Sequence, residues 1–186
     1  MITVGIDPGF ATCGMVAIQR HANGYTTVEG YKMLTTDKGT KKELAAQRVS
    51  ADDFRRLRLI FEAAMEFLQR SNPGLVGVEV YSPFKGRMGG NAWKSSMGYA
   101  AVCCAAMALG IQVQPLLPLD IKRAFGLKKD ASKGEVERGV LARLPGMTDP
   151  LGSVAKGKRE HLADAAAHAC LAMDELVRIK MMLGEK

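Results

Sequence analysis

The chain has only four cysteines, Cys13, Cys103, Cys104 and Cys170, and no two of them form a C-x-x-C pair. That spacing argues against a zinc framework. Adjacent Cys103 and Cys104 lie in an Ala-rich apolar stretch and read as small buried hydrophobes, with reduced thiols in a cytoplasmic compartment. No apolar run reaches the roughly 20 residues that a membrane span needs. No N-terminal signal is visible, because the chain enters a strand-like pattern at once. Linkers, repeats and low-complexity segments are also missing. The 186 residues therefore read as a single domain, residues 1–186, large enough for a real core.

Acids are in deficit. There are 19 Asp and Glu against 26 Lys and Arg, for a net charge of +7. The basic excess is spread over several loops, so it can form a surface that follows phosphates. Charge alone fits a basic protein with no nucleic-acid role equally well.

The order of elements is legible from periodicity and punctuation. Residues 2–7 and 14–20 read as strands joined by a turn over Pro8, Gly9 and Gly14, and 25–35 as a third strand after Ala22-Asn23-Gly24. Ser50 opens a helix with Asp52 and Asp53 in its first turn, where acids suit the dipole. Phe54, Leu57, Phe61, Met65 and Leu68 then recur at helical spacing, and Asn72-Pro73-Gly74 stops the helix. Residues 75–80 form a short apolar strand, 83–90 a glycine-rich loop, 91–109 a helix and 111–116 a last strand. A short helix starts near Pro118. Ser132-Lys133-Gly134-Glu135 is a capping box that opens another. A basic loop leads into a final helix from about residue 160 to 182. Three antiparallel strands followed by parallel crossovers give an α/β fold, a mixed five-stranded sheet with helices on both faces.

Three carboxylates stand at the edges of apolar elements. Asp7 ends Ile2-Thr3-Val4-Gly5-Ile6, Glu79 ends Leu75-Val76-Gly77-Val78, and Asp164 sits in an Ala-rich helix. Asp7 and Glu79 fall at the C-terminal ends of their strands, the usual address for a site in such sheets. Magnesium takes oxygen ligands and keeps several waters, so a few carboxylates suffice when substrate phosphates complete the shell. Two such ions can activate water and stabilise a leaving oxygen. His161 lies three residues before Asp164 on one helix face, as a ligand or a base. Taken singly, Asp7 could merely shape a turn, Glu79 could be a surface acid, Asp164 could pair on a surface, and His161 could be structural. His168 reads as core or as support behind the site, and His21 as an exposed turn residue.

The ordered set of motifs resembles the RuvC family of Holliday junction resolvases, which have an RNase H-like fold. The resemblance runs from Gly5 to about Met173. Gly5-Ile6-Asp7-Pro8-Gly9 looks like the first motif, Glu79 like the second acid, and Asn91-Ala92-Trp93-Lys94 to Gly98-Tyr99-Ala100-Ala101-Val102 like the helix after it. Ile121-Lys122-Arg123-Ala124 with Ala131-Ser132-Lys133-Gly134-Glu135-Val136 is similar to the lysine segment, and His161-x-x-Asp164-Ala165-Ala166 to the final motif. The resemblance implies a homodimeric endonuclease that uses two Mg2+ per site, with Mn2+ able to substitute. It would nick two strands of a four-way DNA junction symmetrically. Asp7, Glu79, His161 and Asp164 would hold the metals, and Lys122 and Lys133 would complete the active site. Lys133 also starts a capped helix, where backbone N–H groups favour phosphate.

The family's aromatic wedge is replaced here by Ser82, with Tyr81 and Phe84 beside it. Phe84 and Trp93 offer stacking faces, and Lys85, Arg87, Lys94, Lys156, Lys158 and Arg159 offer phosphate contacts. For Trp93, anchoring the loop to the core is an equal alternative. Three other functions compete: a relaxed nuclease acting on forks, flaps or duplex, a module that binds branched DNA without cutting, and a sugar-kinase-like ATPase, which would need two domains of this size.

Overall fold

The computed structural model describes residues 1–39, 49–80 and 92–184. Its centre is a five-stranded sheet. The strands are β1 (Ile2–Asp7), β2 (Thr12–Arg20), β3 (Thr26–Thr35), β4 (Leu75–Glu79) and β5 (Val113–Leu116). Their order across the sheet is β3-β2-β1-β4-β5. β1, β2 and β3 form an antiparallel meander, while β4 and β5 continue the sheet parallel to β1. This is the mixed sheet expected from the sequence.

The described helices are α1 (Val49–Ser71), α2 (Ala92–Ala108), α3 (Pro118–Ala124), α4 (Lys133–Arg143), α5 (Thr148–Ser153) and α6 (Arg159–Met182). α1 stops where expected. Asn72 takes a left-handed conformation at φ 43° and its N–H bonds back to Leu68. The capping box of α4 is real. Ser132 Oγ accepts from the Glu135 amide at 3.3 Å, and Glu135 Oε2 accepts from the Ser132 amide at 2.7 Å.

Strand alternation sorts side chains to two faces. Val4, Ile6, Met15, Ala17, Val76 and Val78 are buried against α1 and α2. The alternate positions face α6, where Thr3 Oγ1 donates to the Ala169 carbonyl at 2.9 Å. At Gly5 and Gly77 the helix comes so close that a β-carbon would lie 2.0 Å from the Ala165 oxygen or 2.6 Å from the His168 oxygen. Glycine at these two points lets the last helix lie directly on β1 and β4.

The helical spacing read in α1 holds, with its inner face set by smaller residues, while the readings of Cys103 and Cys104 as buried and of His21 as exposed are overturned. Phe54 is 65% exposed, and Leu57, Phe61 and Met65 are only half-buried. The buried row of α1 is Ile60, Ala63, Ala64, Phe67 and Leu68. Its small residues turn inward because α2 packs closely there. Cys103 is half-buried and Cys104 exposed, with Ala101, Val102, Ala105 and Ala106 as the inner face of α2. Cys13 and Cys170 are the buried thiols. His21 is half-buried rather than exposed, and its Nε2 lies 2.8 Å from Thr27 Oγ1. Among the described residues no helix is long and apolar enough to cross a membrane.

Candidate active site

Asp7 and Glu79 end neighbouring parallel strands, and both point to the α6 side by the same alternation that places Gly5 and Gly77 there. α6 begins over these strand ends. Its first turns carry His161 and Asp164, three residues apart on one face. α3 and the start of α4 close the opposite side. The result is a cavity of about 350 Å³ lined by Asp7, Glu79, Lys122, Lys133, His161 and Asp164, with Pro118, Ile121, Ala131 and Val136 as its walls. All six residues expected in the active site therefore meet in one place.

The acids strain against one another. Burial pushes the Glu79 carboxyl up to about 8, and the nearby charges of Asp7 and Asp164 add to the effect. Burial and the charge of Asp7 likewise raise Asp164 to about 7. Lys133 and His161 pull both back down. His161 donates from Nδ1 to Asp7 Oδ2 at 2.6 Å, and this bond holds the imidazole pKa above its usual value. Its Nε2 is thereby left as the nitrogen for a proton or a cation.

Raised, mutually repelling carboxylates are the donor set that a hard divalent cation relieves. Among the described residues no three such side chains already surround a common point at ligand distance.

The lysines are both held. Lys122 Nζ donates to the Lys129 carbonyl at 2.8 Å, and Lys133 Nζ lies 2.7 Å from Glu160 Oε2. His168, one turn beyond Asp164, is fully buried, and its two ring nitrogens have no protein partner. Burial drops its pKa to about 4, so it is a neutral core residue, as the sequence allowed.

The expected DNA-contacting residues are less uniform. Phe84, Lys85 and Arg87, with Tyr81 and Ser82, lie outside the described residues. Trp93 is 47% exposed. Lys94 is turned inward instead of toward a ligand. Its ammonium pairs with Asp53 at 2.9 Å and sits over the Phe10 and Trp93 rings. The buried Asp53 requires a counter-charge, which is why Lys94 is drawn in. Lys156 is exposed, Lys158 Nζ donates to Thr35 Oγ1 at 2.8 Å, and Arg159 Nε donates to the Val154 carbonyl at 3.2 Å.

Two polar residues at the site escaped sequence reasoning. Ser95, in the first turn of α2, joins Asp7, Pro8, Gly9 and Glu79 around a smaller adjoining cavity. Glu160 pairs with Lys133. The position of Glu160 immediately before His161 was its only signal.

No family model matches the chain. The crossover junction endodeoxyribonuclease RuvC of Moorella thermoacetica is 28% identical over 169 residues, which cover 91% of this chain and 89% of that one. A solved structure of T. thermophilus RuvC in complex with Holliday junction substrate superposes with a TM-score of 0.69 at 24% identity, covering 96% of both chains. The curated RuvC of Thermus thermophilus is 30% identical over 179 residues, covering 91% of each chain. With that identity over nearly its whole length, and with the RNase H-like sheet in place, this chain belongs to the RuvC family of crossover junction endodeoxyribonucleases.

Proposed function

We propose that this protein is a divalent-metal-dependent endodeoxyribonuclease that resolves four-way DNA junctions by paired symmetric nicks. The observation that carries the reading is the cavity where Asp7, Glu79, Asp164 and His161 meet two lysines at the strand ends. Family membership supplies the substrate class.

Asp7, Glu79, Asp164 and the Nε2 of His161 would hold two magnesium ions, with Mn2+ able to substitute. Bound there, the ions would supply Lewis-acid activation of water and stabilisation of the leaving oxygen. The protein's own contributions follow from its contacts. The Asp7 carboxylate fixes the His161 tautomer by accepting from Nδ1, so the single lone pair of Nε2 is presented either to a metal or, in its place, to a proton from water. Lys133 carries positive charge at the start of a capped helix, where phosphate oxygens meet backbone N–H groups. Lys122 is oriented by the Lys129 carbonyl toward the same cavity.

A four-way junction has two-fold symmetry, which a two-fold homodimer matches with two active sites. The small residues of α2 would permit close approach of a second copy in that pairing.

The test is cleavage of labelled four-way, three-way and linear DNA with magnesium, mapped on every strand. Paired symmetric nicks confined to the four-way substrate support the reading. Equal cutting of forks and duplex would make the enzyme a relaxed nuclease. Binding without cutting would make it a branched-DNA binding protein.

A further inference from the structure

Glu160 is a fourth carboxylate, beside the three that line the cavity, and none of the roles above uses it. It sits in the first turn of α6. Its Oε2 is 2.7 Å from Lys133 Nζ, and its Oε1 is 3.9 Å from His161 Nε2. Lys133 is the first residue of α4, so the pair ties the starts of two helices together beside the cavity. We propose that Glu160 is a positioning residue that holds Lys133 at the cavity while DNA is absent and yields it to a DNA phosphate when substrate enters. The proposal rests on the reading of Lys133 as a phosphate ligand.

The chemistry of the pair favours exchange. A carboxylate and a phosphate present similar anionic oxygens to an ammonium with three donors. Lys133 is 65% exposed and Glu160 36% exposed, so water screens the pair and breaking it costs little. A free lysine side chain is flexible, and Glu160 biases it toward the cavity in advance. The parked lysine already lines the cavity with Glu79, Asp164 and His161. Position has a cost in affinity. Each bound phosphate must displace Glu160, whose charge then faces DNA. Glu160 therefore trades binding strength for a lysine ready at the reacting end.

The experiment is a double-mutant cycle of Glu160→Gln and Lys133→Met. Junction affinity is measured at several salt concentrations without divalent cation. Single-turnover cleavage is measured with Mg2+ at saturating enzyme. Glu160→Gln is expected to bind about threefold tighter. Its log-affinity should fall more steeply with log-salt, by about 0.9, because Lys133 no longer leaves one anion for another. Cutting by the bound complex should slow, and Glu160→Asp should restore it. In the Lys133→Met background, changing Glu160 should move neither quantity.

Equal tightening in both backgrounds would overturn the proposal, because Glu160 would then act only as a general negative charge. Unchanged binding and cutting in Glu160→Gln would overturn it as well. A Lys133→Met single variant that binds and cuts like wild type would remove Lys133 from the phosphate. That result sinks the underlying reading and the proposal with it, and it is told apart because it needs no change at Glu160.

Discussion

The two faces of the sheet are made by the same strands and differ in kind. Toward α1 and α2, β1 and β4 present Val4, Ile6, Val76 and Val78, all fully buried. Toward α6 the same strands present Gly5, Asp7, Gly77 and Glu79. The first face fills space and is stabilised by removing apolar area from water. The second gives up that filling at two glycines so that a helix bearing His161 and Asp164 can lie against the strand ends. It then gathers acids whose pKa values are driven up by burial and by one another. Alternation along one strand thus divides stability from function, residue by residue.

The sharpest way to break this comparison is to substitute on each face in turn. Asp7→Asn, Glu79→Gln and Asp164→Asn should each lower junction cleavage by at least about 10²-fold while junction binding persists. The urea midpoints of Glu79→Gln and Asp164→Asn should be equal to or above wild type, because each removes repulsion, whereas Asp7→Asn also gives up the charge-assisted bond from His161. Ile6→Ala, one residue from Asp7 but on the other face, should cost about 2–5 kcal/mol of stability and leave the folded enzyme's cutting rate intact. Loss of stability in Glu79→Gln and Asp164→Asn would dissolve the distinction.

Gly5→Ala examines the price of close approach. A β-carbon there would meet the Ala165 oxygen at 2.0 Å and the Ala169 nitrogen at 2.2 Å, both backbone atoms that cannot swing away. Destabilisation of about 3 kcal/mol or more is expected. A variant that melts like wild type would mean that α6 does not sit where the fold places it.

His161 gives a smaller, graded effect. Aspartate there should keep substantial cleavage, because a carboxylate can replace imidazole toward magnesium. Alanine should lose much more, since it offers no donor to a metal, while both variants alike free Asp7 from its 2.6 Å bond. Similar rates for the two variants would take His161 out of the chemistry.

The smallest effect is expected at the edge of the site. Changing Lys156, Lys158 and Arg159 together to Ala should flatten the salt dependence of junction binding by up to about 0.9 per lost phosphate contact, without moving the cut position. Lys158 and Arg159 already make hydrogen bonds to Thr35 and Val154, so an unchanged slope would assign them to holding the start of α6 instead.

How far the sequence anticipated these results depended on the kind of signal. Strand alternation and turn residues marked β1 to β5, and Ser132 with Glu135 marked the start of α4. Asp7, Glu79 and Asp164 were legible because a charge that ends an apolar run is conspicuous. The inner face of α2 was not, because a helix of Ala, Cys and Met is apolar on every side and its pattern does not point anywhere. In α1 the large residues Phe54 and Phe61 drew attention, yet the tight contact with α2 selected Ala63 and Ala64. Glu160 and Ser95 reach the site only through tertiary placement. Lys94 looked like a phosphate ligand until its partner, the buried Asp53, was brought to it from 41 residues away.

The central claim is that the α6 face stores acids for a divalent cation, and stability against pH tests it most directly. Glu79, Asp164 and His161 all have pKa values above their ordinary ones in the fold. The folded state therefore holds more protons than the unfolded chain as pH rises from 6.5 to 8, and stability falls across that window. His168 acts oppositely, but only below its ordinary value of 6.5, which sets the lower bound. In a chelator, the urea midpoint of the wild-type protein should drop between pH 6.5 and 8. Magnesium should restore it at pH 8, where the acids are free to bind. Glu79→Gln should show a smaller drop and a weaker response to the ion. A midpoint that ignores both pH and magnesium across this window, in an enzyme that still cuts junctions, would contradict the account.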